Sequence, residues 1–120
     1  MSVAKLDGLN IYYERQGAGE PVLFVPASWW PLDPWKLQVV PTLSESWEPL
    51  VMDCRGTGRT SQPEAGYTVS QFADDCASLL AHLGVSRCHM VGFAIGGQIL
   101  QALTIRRPDL VATLTMAATG

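Results

Sequence analysis

Basic residues are few and scattered. The 120-residue chain carries 8 Lys and Arg against 11 Asp and Glu, a net charge of −3, and its one adjacent basic pair is Arg106-Arg107. That leaves no electrostatic footprint for a nucleic-acid partner. Long apolar runs are missing too. None approaches the roughly 18 residues that a spanning helix needs, so no membrane partner is expected. The start, Met1-Ser2-Val3-Ala4-Lys5, lacks the apolar core of a secretory signal. Cysteine is limited to Cys54, Cys76 and Cys88, an odd number without metal-ligand spacing. Buried, reduced thiols in a cytoplasmic protein are the expectation. Histidine is rarer still: only His82 and His89. Charge is sparse as well, 16% of residues against 48% hydrophobic, which excludes a disordered chain and supports one modest domain with a core.

The apolar residues that are present fall into short blocks. Asp7-Gly8 lies between Val3–Leu6 and Leu9–Arg15, a strong hairpin signal because both turn positions favour positive φ. Pro21–Pro26 and Glu48–Asp53 read as strands buried on both faces. Between them lie a loop over Ala27–Pro34 and a weak helix over Trp35–Leu43, interrupted at Pro41. Cys54–Gly66 is a polar loop. Thr68 and Gln71 fit a capping box opening a helix with apolar residues at 3-4 spacing from Val69 to Leu83, ended by Gly84. A strand over Arg87–Gly92, a helix over Ile95–Arg107 stopped by Pro108, and a strand over Val111–Ala118 complete the order. The two arginines complement the dipole of that helix. The pattern implies an α/β fold: an N-terminal β-hairpin, then a mostly parallel sheet with helices on both faces.

Chemistry concentrates at Gly92-Phe93-Ala94-Ile95-Gly96-Gly97, between the Arg87–Gly92 strand and the helix that follows. The frame is G-x-S-x-G with alanine at the serine position. Glycines flank the centre because a sharp strand-to-helix turn strains the central residue and brings backbones together, leaving no room for Cβ atoms. Three further segments join it in order. They are Asp53-Cys54-Arg55-Gly56-Thr57-Gly58-Arg59-Thr60-Ser61, the run from Thr68 through Gly84 to His89-Met90-Val91-Gly92, and Arg107-Pro108-Asp109-Leu110-Val111. Together they resemble the α/β-hydrolase superfamily over nearly the whole chain. The resemblance implies the N-terminal part of one hydrolase core domain over residues 1–120, with the lid and C-terminal part carried elsewhere. Pro26-Ala27 stands where the family often has His-Gly, and Ala94 stands at the nucleophile position.

By the same resemblance, the backbone N–H groups of Ile95 and Ser28 form an oxyanion hole, to which a helix N-terminus adds favourable potential. Ala27, Trp29, Trp30 and Phe93 would line the substrate site. Trp29 and Trp30 favour an apolar or aromatic acyl substrate, or else pack against a lid or neighbouring helix. The implied reaction is cleavage of an ester, thioester, lactone or activated carbon–carbon bond, without cofactor or metal. After Ala94 the chain has one carboxylate, Asp109, and no histidine, so no triad can be assembled from it and the isolated chain is expected to be inactive. Two other readings stay open: a natural non-catalytic ligand-binding protein on this fold, and a lyase or oxygenase that needs no nucleophile. His82 reads as a surface residue and His89 as a satisfied structural one. Asp109 reads as a turn residue, Trp35 and Trp47 as core, and Asp74-Asp75 as solvated helix charges. Asp53, Arg55 and the glycines after them fit neither a dinucleotide fingerprint nor a Walker loop, so Arg55 is read as paired to a nearby carboxylate. A second polypeptide, either a C-terminal half or another copy, is expected against Val111–Ala118.

Overall fold

The computed structural model describes residues 2–6, 8–26 and 39–118. Strands β1 (Ser2–Leu6) and β2 (Leu9–Arg15) pair antiparallel from Ser2 opposite Tyr13 to Leu6 opposite Leu9, and Gly8 turns between them with φ +78°. Four more strands follow: β3 (Glu20–Val25), β4 (Trp47–Met52), β5 (Cys88–Phe93) and β6 (Val111–Ala117). They form one sheet in the order β1-β2-β4-β3-β5-β6. The β2–β4 pair is antiparallel, whereas β4–β3, β3–β5 and β5–β6 are parallel. Helices α1 (Val40–Leu43), α2 (Val69–His82) and α3 (Ile95–Arg106) make the connections, and a single 3-10 turn (Pro108–Leu110) leads into β6.

The central strands are apolar at consecutive positions because both of their faces are covered. Leu23 and Val25 of β3, Leu50 and Met52 of β4, and Met90 of β5 belong to one core, with Phe72, Cys76, Leu79 and Leu80 of α2 and Ile99, Leu100 and Leu103 of α3. The alternate residues Val22, Phe24 and Val51 join Tyr12 and Val40 in a smaller cluster under α1 on the other face. Helices therefore lie on both faces, as expected. Each fully buried Leu or Ile contributes about 1.5–3 kcal/mol.

Helix α2 starts where Thr68 accepts a hydrogen bond from the Gln71 backbone N–H at 3.1 Å. It ends in a Schellman motif: Gly84 (φ +73°) donates to Ala81 O, and Val85 donates to Leu80 O. The capping box is only half made. Gln71 does not return to Thr68; its Nε2 donates to Asp75 Oδ1 at 3.0 Å. Asp75 also departs from the sequence reading, since it is 5% exposed rather than solvated. It accepts from Arg55 Nε and Nη2, both at 2.9 Å, and this bidentate pair is the carboxylate partner expected for Arg55. Asp74 is exposed and pairs with Arg106.

Other expectations need correcting. Trp47 is 36% exposed rather than core, because it opens β4 and meets His89 edge-on at 5.3 Å. Pro41 sits in the first turn of α1, where its missing N–H has no helical acceptor to lose, so it helps start the helix instead of interrupting it. Arg107 lies outside α3 as its C-cap and pairs with Asp109. Trp35 and the rest of the first four residues of the helix expected over Trp35–Leu43 lie outside the described residues, as does the Ala27–Pro34 loop. All three cysteines are free and buried. Burial pushes the Cys54 thiol up to about 12 and that of Cys88 to about 11, and raises that of Cys76 well above the usual range.

Candidate functional site

One residue separates β5 from α3. Ala94 turns the chain with φ 54° and ψ −123°, a backbone region that L side chains rarely occupy. The turn is held on both sides. Ala94 N–H donates to Ala117 O of β6 at 2.9 Å, and Ala94 O accepts from Gly97 N–H at 3.0 Å. The flanking glycines have the steric role expected of them. A Cβ on Gly92 would lie 2.6 Å from the backbone of Gly96 and Gly97. A Cβ on Gly96 would overlap the carbonyl oxygen of Val25 and lie 2.8 Å from that of Pro26. The first turn of α3 is thereby pressed against the C-terminal end of β3. Ala94 is half-buried, so its side-chain position is reachable from outside. Ile95 is the first helical residue, and its N–H has no acceptor within the helix.

The C-terminal end of β4, separated from β5 by β3 in the sheet, is braced by a polar network. Asp53 is fully buried and accepts from Arg59 N–H at 3.0 Å. The Gly56–Arg59 turn wraps this carboxylate so closely that a Cβ on Gly58 would overlap it. Thr60 Oγ1 donates to Asp53 O at 2.7 Å and accepts from Tyr12 N–H at 2.9 Å. The glycine-rich segment after β4 is thus a closed structural loop that ties β2 to β4. Arg55 reaches Ala65 O as well as Asp75, and hydrogen bonding to Asp75 holds its guanidinium charged.

The titratable residues weighed from the sequence are not gathered at Ala94. His82 is exposed at the end of α2. His89 is in β5, five residues before Ala94 and therefore roughly 16 Å down the strand. It is satisfied there, with Nδ1 2.8 Å from Thr113 Oγ1 and Nε2 2.8 Å from Glu20 Oε2. Asp109 precedes β6 at the far end of the sheet, where Arg107 holds its carboxyl below the usual range. Phe93 is half-buried at the end of β5, adjoining Ala94. Ala27, Ser28, Trp29 and Trp30 lie outside the described residues, though the segment they belong to leaves the end of β3, where Val25 pairs with Gly92. The Asp53–Thr60–Tyr12 network and the Glu20–His89–Thr113 chain were not expected. Both join residues far apart in sequence, and no local pattern marks them.

A mostly parallel sheet with an interior strand that passes through a one-residue, positive-φ turn into a helix defines a class of α/β protein. This chain belongs to the alpha/beta hydrolase fold family, whose family model matches residues 20–119. It is 34% identical over 97 residues to a non-heme haloperoxidase of Rhodococcus erythropolis, covering 79% of this chain and 35% of that protein. It is 34% identical over 110 residues to a bifunctional esterase/perhydrolase of Acinetobacter calcoaceticus, covering 89% of this chain and 40% of that protein. Among solved structures it resembles Est816, described as an N-acyl homoserine lactone degrading enzyme. The TM-score is 0.90 and the identity 32%, covering 99% of this chain and 46% of that one. The chain thus spans less than half the length of these relatives. Among the described residues, no helix is long and apolar enough to cross a membrane.

Proposed function

We propose that Ala94 occupies the nucleophile position of a hydrolase active site, on an elbow built for a serine. The observation that carries this reading is the φ of 54° at Ala94, held between two glycines that tolerate no Cβ. Such a turn lifts one side chain clear of its neighbours at the end of a parallel sheet, where a nucleophile would meet a carbonyl carbon. Backbone N–H groups do not depend on side-chain identity, so Ile95 and Ser28 are assigned as the oxyanion-hole donors. Ala27, Trp29, Trp30 and Phe93 are assigned to the substrate wall. An ester, thioester, lactone or activated carbon–carbon bond with an apolar or aromatic group is the proposed substrate class, and the esterase and lactone-degrading relatives favour the ester and lactone members. A methyl group at position 94 cannot attack, and no described histidine is within reach, so this chain is proposed to be inactive. The acid and the histidine would come from a C-terminal part of the domain, packed against β6. Buried reduced thiols support a cytoplasmic setting.

The test restores the nucleophile. Ala94→Ser in the 120-residue chain gives no sustained turnover of p-nitrophenyl esters, because the base is missing. The same substitution in an assembly supplying the remainder of a hydrolase domain gives turnover well above the Ala94 parent. If it does not, a non-catalytic binding protein or a nucleophile-independent enzyme on this fold takes precedence. Sustained turnover by the unaltered chain, abolished by one substitution in it, overturns the reading.

A further inference from the structure

His89 and Thr113 are register partners across β5 and β6, and Val22 of β3 is opposite His89 on the other side. This places Glu20, His89 and Thr113 in a row across three parallel strands. Nε2 of His89 lies 2.8 Å from Glu20 Oε2, and Nδ1 lies 2.8 Å from Thr113 Oγ1. The proton positions follow from the partners. A carboxylate only accepts, so Nε2 carries the hydrogen of the neutral imidazole, and Nδ1 is left to accept from the Thr113 hydroxyl. That is the order hydroxyl, base, carboxylate, in which a base takes the proton of an attacking hydroxyl and an acid orients the base. Trp47 packs edge-on against the imidazole with ring centroids 5.3 Å apart. His89 and Thr113 open into an apolar cleft of about 370 Å³, lined also by Val22, Phe24, Leu43 and Val91. Thr113 is exposed and the His89 side chain is 27% exposed, so both can be reached.

We propose that Thr113 is an acyl-acceptor site for small activated esters with an apolar acyl group, with His89 as its base. Thr113 Oγ1 adds to the acyl carbon while its proton passes to Nδ1 of His89. The bond from the acyl carbon to the leaving oxygen then breaks. The leaving group departs as the alcohol or phenol, taking up the proton from Nδ1. The products are an acyl-threonine ester and one equivalent of alcohol, and His89 returns to its starting state. Glu20 is a positioning residue that fixes the tautomer. The site stands apart from Ala94 and does not depend on it.

The probe is p-nitrophenyl butyrate. The chain releases one equivalent of nitrophenol, and fragmentation of the peptide spanning residues 107–120 places a butyryl group on Thr113. Thr113→Val abolishes that label, whereas Thr113→Ser retains it and guards against a folding defect. His89→Asn slows labelling about 100-fold, the lower end of what general-base help supplies. Glu20 and Arg87 are the charged side chains lining the two clefts that meet at His89. Glu20→Ala, which loses the carboxylate 2.8 Å from Nε2, slows labelling, and Glu20→Asp, which keeps a carboxylate, restores it, a rescue that a merely structural role would not show. Acylation confined to Lys5, Lys36 or the N-terminus overturns the proposal. So does labelling of Thr113 that is equally fast in His89→Asn.

Discussion

Gly96 and Gly84 separate two reasons for a glycine. Gly84 has φ +73° with open space around its Cβ position, so alanine there meets only backbone strain, about 1 kcal/mol. Gly96 is helical, but its Cβ would collide with backbone carbonyls of β3 that cannot move without shifting the strand. Gly96→Ala is expected to cost well over twice as much as Gly84→Ala, read as the shift in urea midpoint at constant m. Ala94 reverses the argument. Ala94→Gly relieves a positive φ and should stabilise by about 0.5–1 kcal/mol, the residual after the added flexibility of glycine in the unfolded chain. A loss of stability in that variant would mean that the turn is not strained. The thiols give a further prediction at this scale. Burial pushes the thiols of Cys54, Cys76 and Cys88 up and makes them weaker acids, so the folded chain holds thiol protons that the unfolded chain releases above about pH 9. Stability is unaffected below that pH and falls as pH rises from about 9 toward 11, by up to about 1.4 kcal/mol per unit for each thiol. Urea unfolding at pH 8 and pH 10 should show the loss, and Cys54→Ala should reduce it.

Elements differ in how much of their packing a sequence displays. The strands and helices were legible because their signals are local: continuous apolar blocks for β3 and β4, 3-4 spacing and a Thr68 cap for α2, and paired glycines for the β5–α3 turn. Asp75 was not legible. A carboxylate next to Asp74 on a helix looks solvated until the loop after β4 brings Arg55 onto it from twenty residues earlier. The register that sets His89 against Thr113 was hidden for the same reason, because parallel pairing is decided by the whole sheet. Within the candidate site, the turn at Ala94 and its glycines could be read directly, whereas the Ser28 side depends on a loop outside the described residues. The Arg55–Asp75 pair is testable as a unit. Its side chains are only 12% and 6% exposed, so Arg55→Met leaves a buried carboxylate and should destabilise by about 3 kcal/mol or more. The double variant Arg55→Met/Asp75→Leu should recover much of that, and a double-mutant cycle reads the coupling directly.

At the scale of the molecule, β6 ends the sheet, pairing with β5 on one side and with no described strand on the other. Its edge carries neither charge nor proline, and Met116 and Ile105 expose 46% and 77% of their surface nearby. Such an edge invites a further strand, either from a C-terminal half of the domain or from another copy. Sedimentation of the isolated chain is expected to show association, weakened by Thr115→Lys at the edge. A stable 13.0 kDa monomer with a sharp thermal transition would rule the expectation out.

The position of β3 has a consequence for the order of folding. It is third along the chain, yet it lies in the middle of the sheet, between β4 and β5. A ribosome delivers it early, but Val22 cannot find His89, nor Val25 find Gly92, until nearly seventy more residues have emerged. During that interval its apolar run Val22–Val25 has only β4 for a neighbour. Parallel pairing over such separations is slow, because the entropy of closing the loop is lost before any contact compensates for it. The nascent chain is therefore most exposed to misassociation in the window before residue 93 is made, and the turn at Ala94 is the point at which the sheet can close.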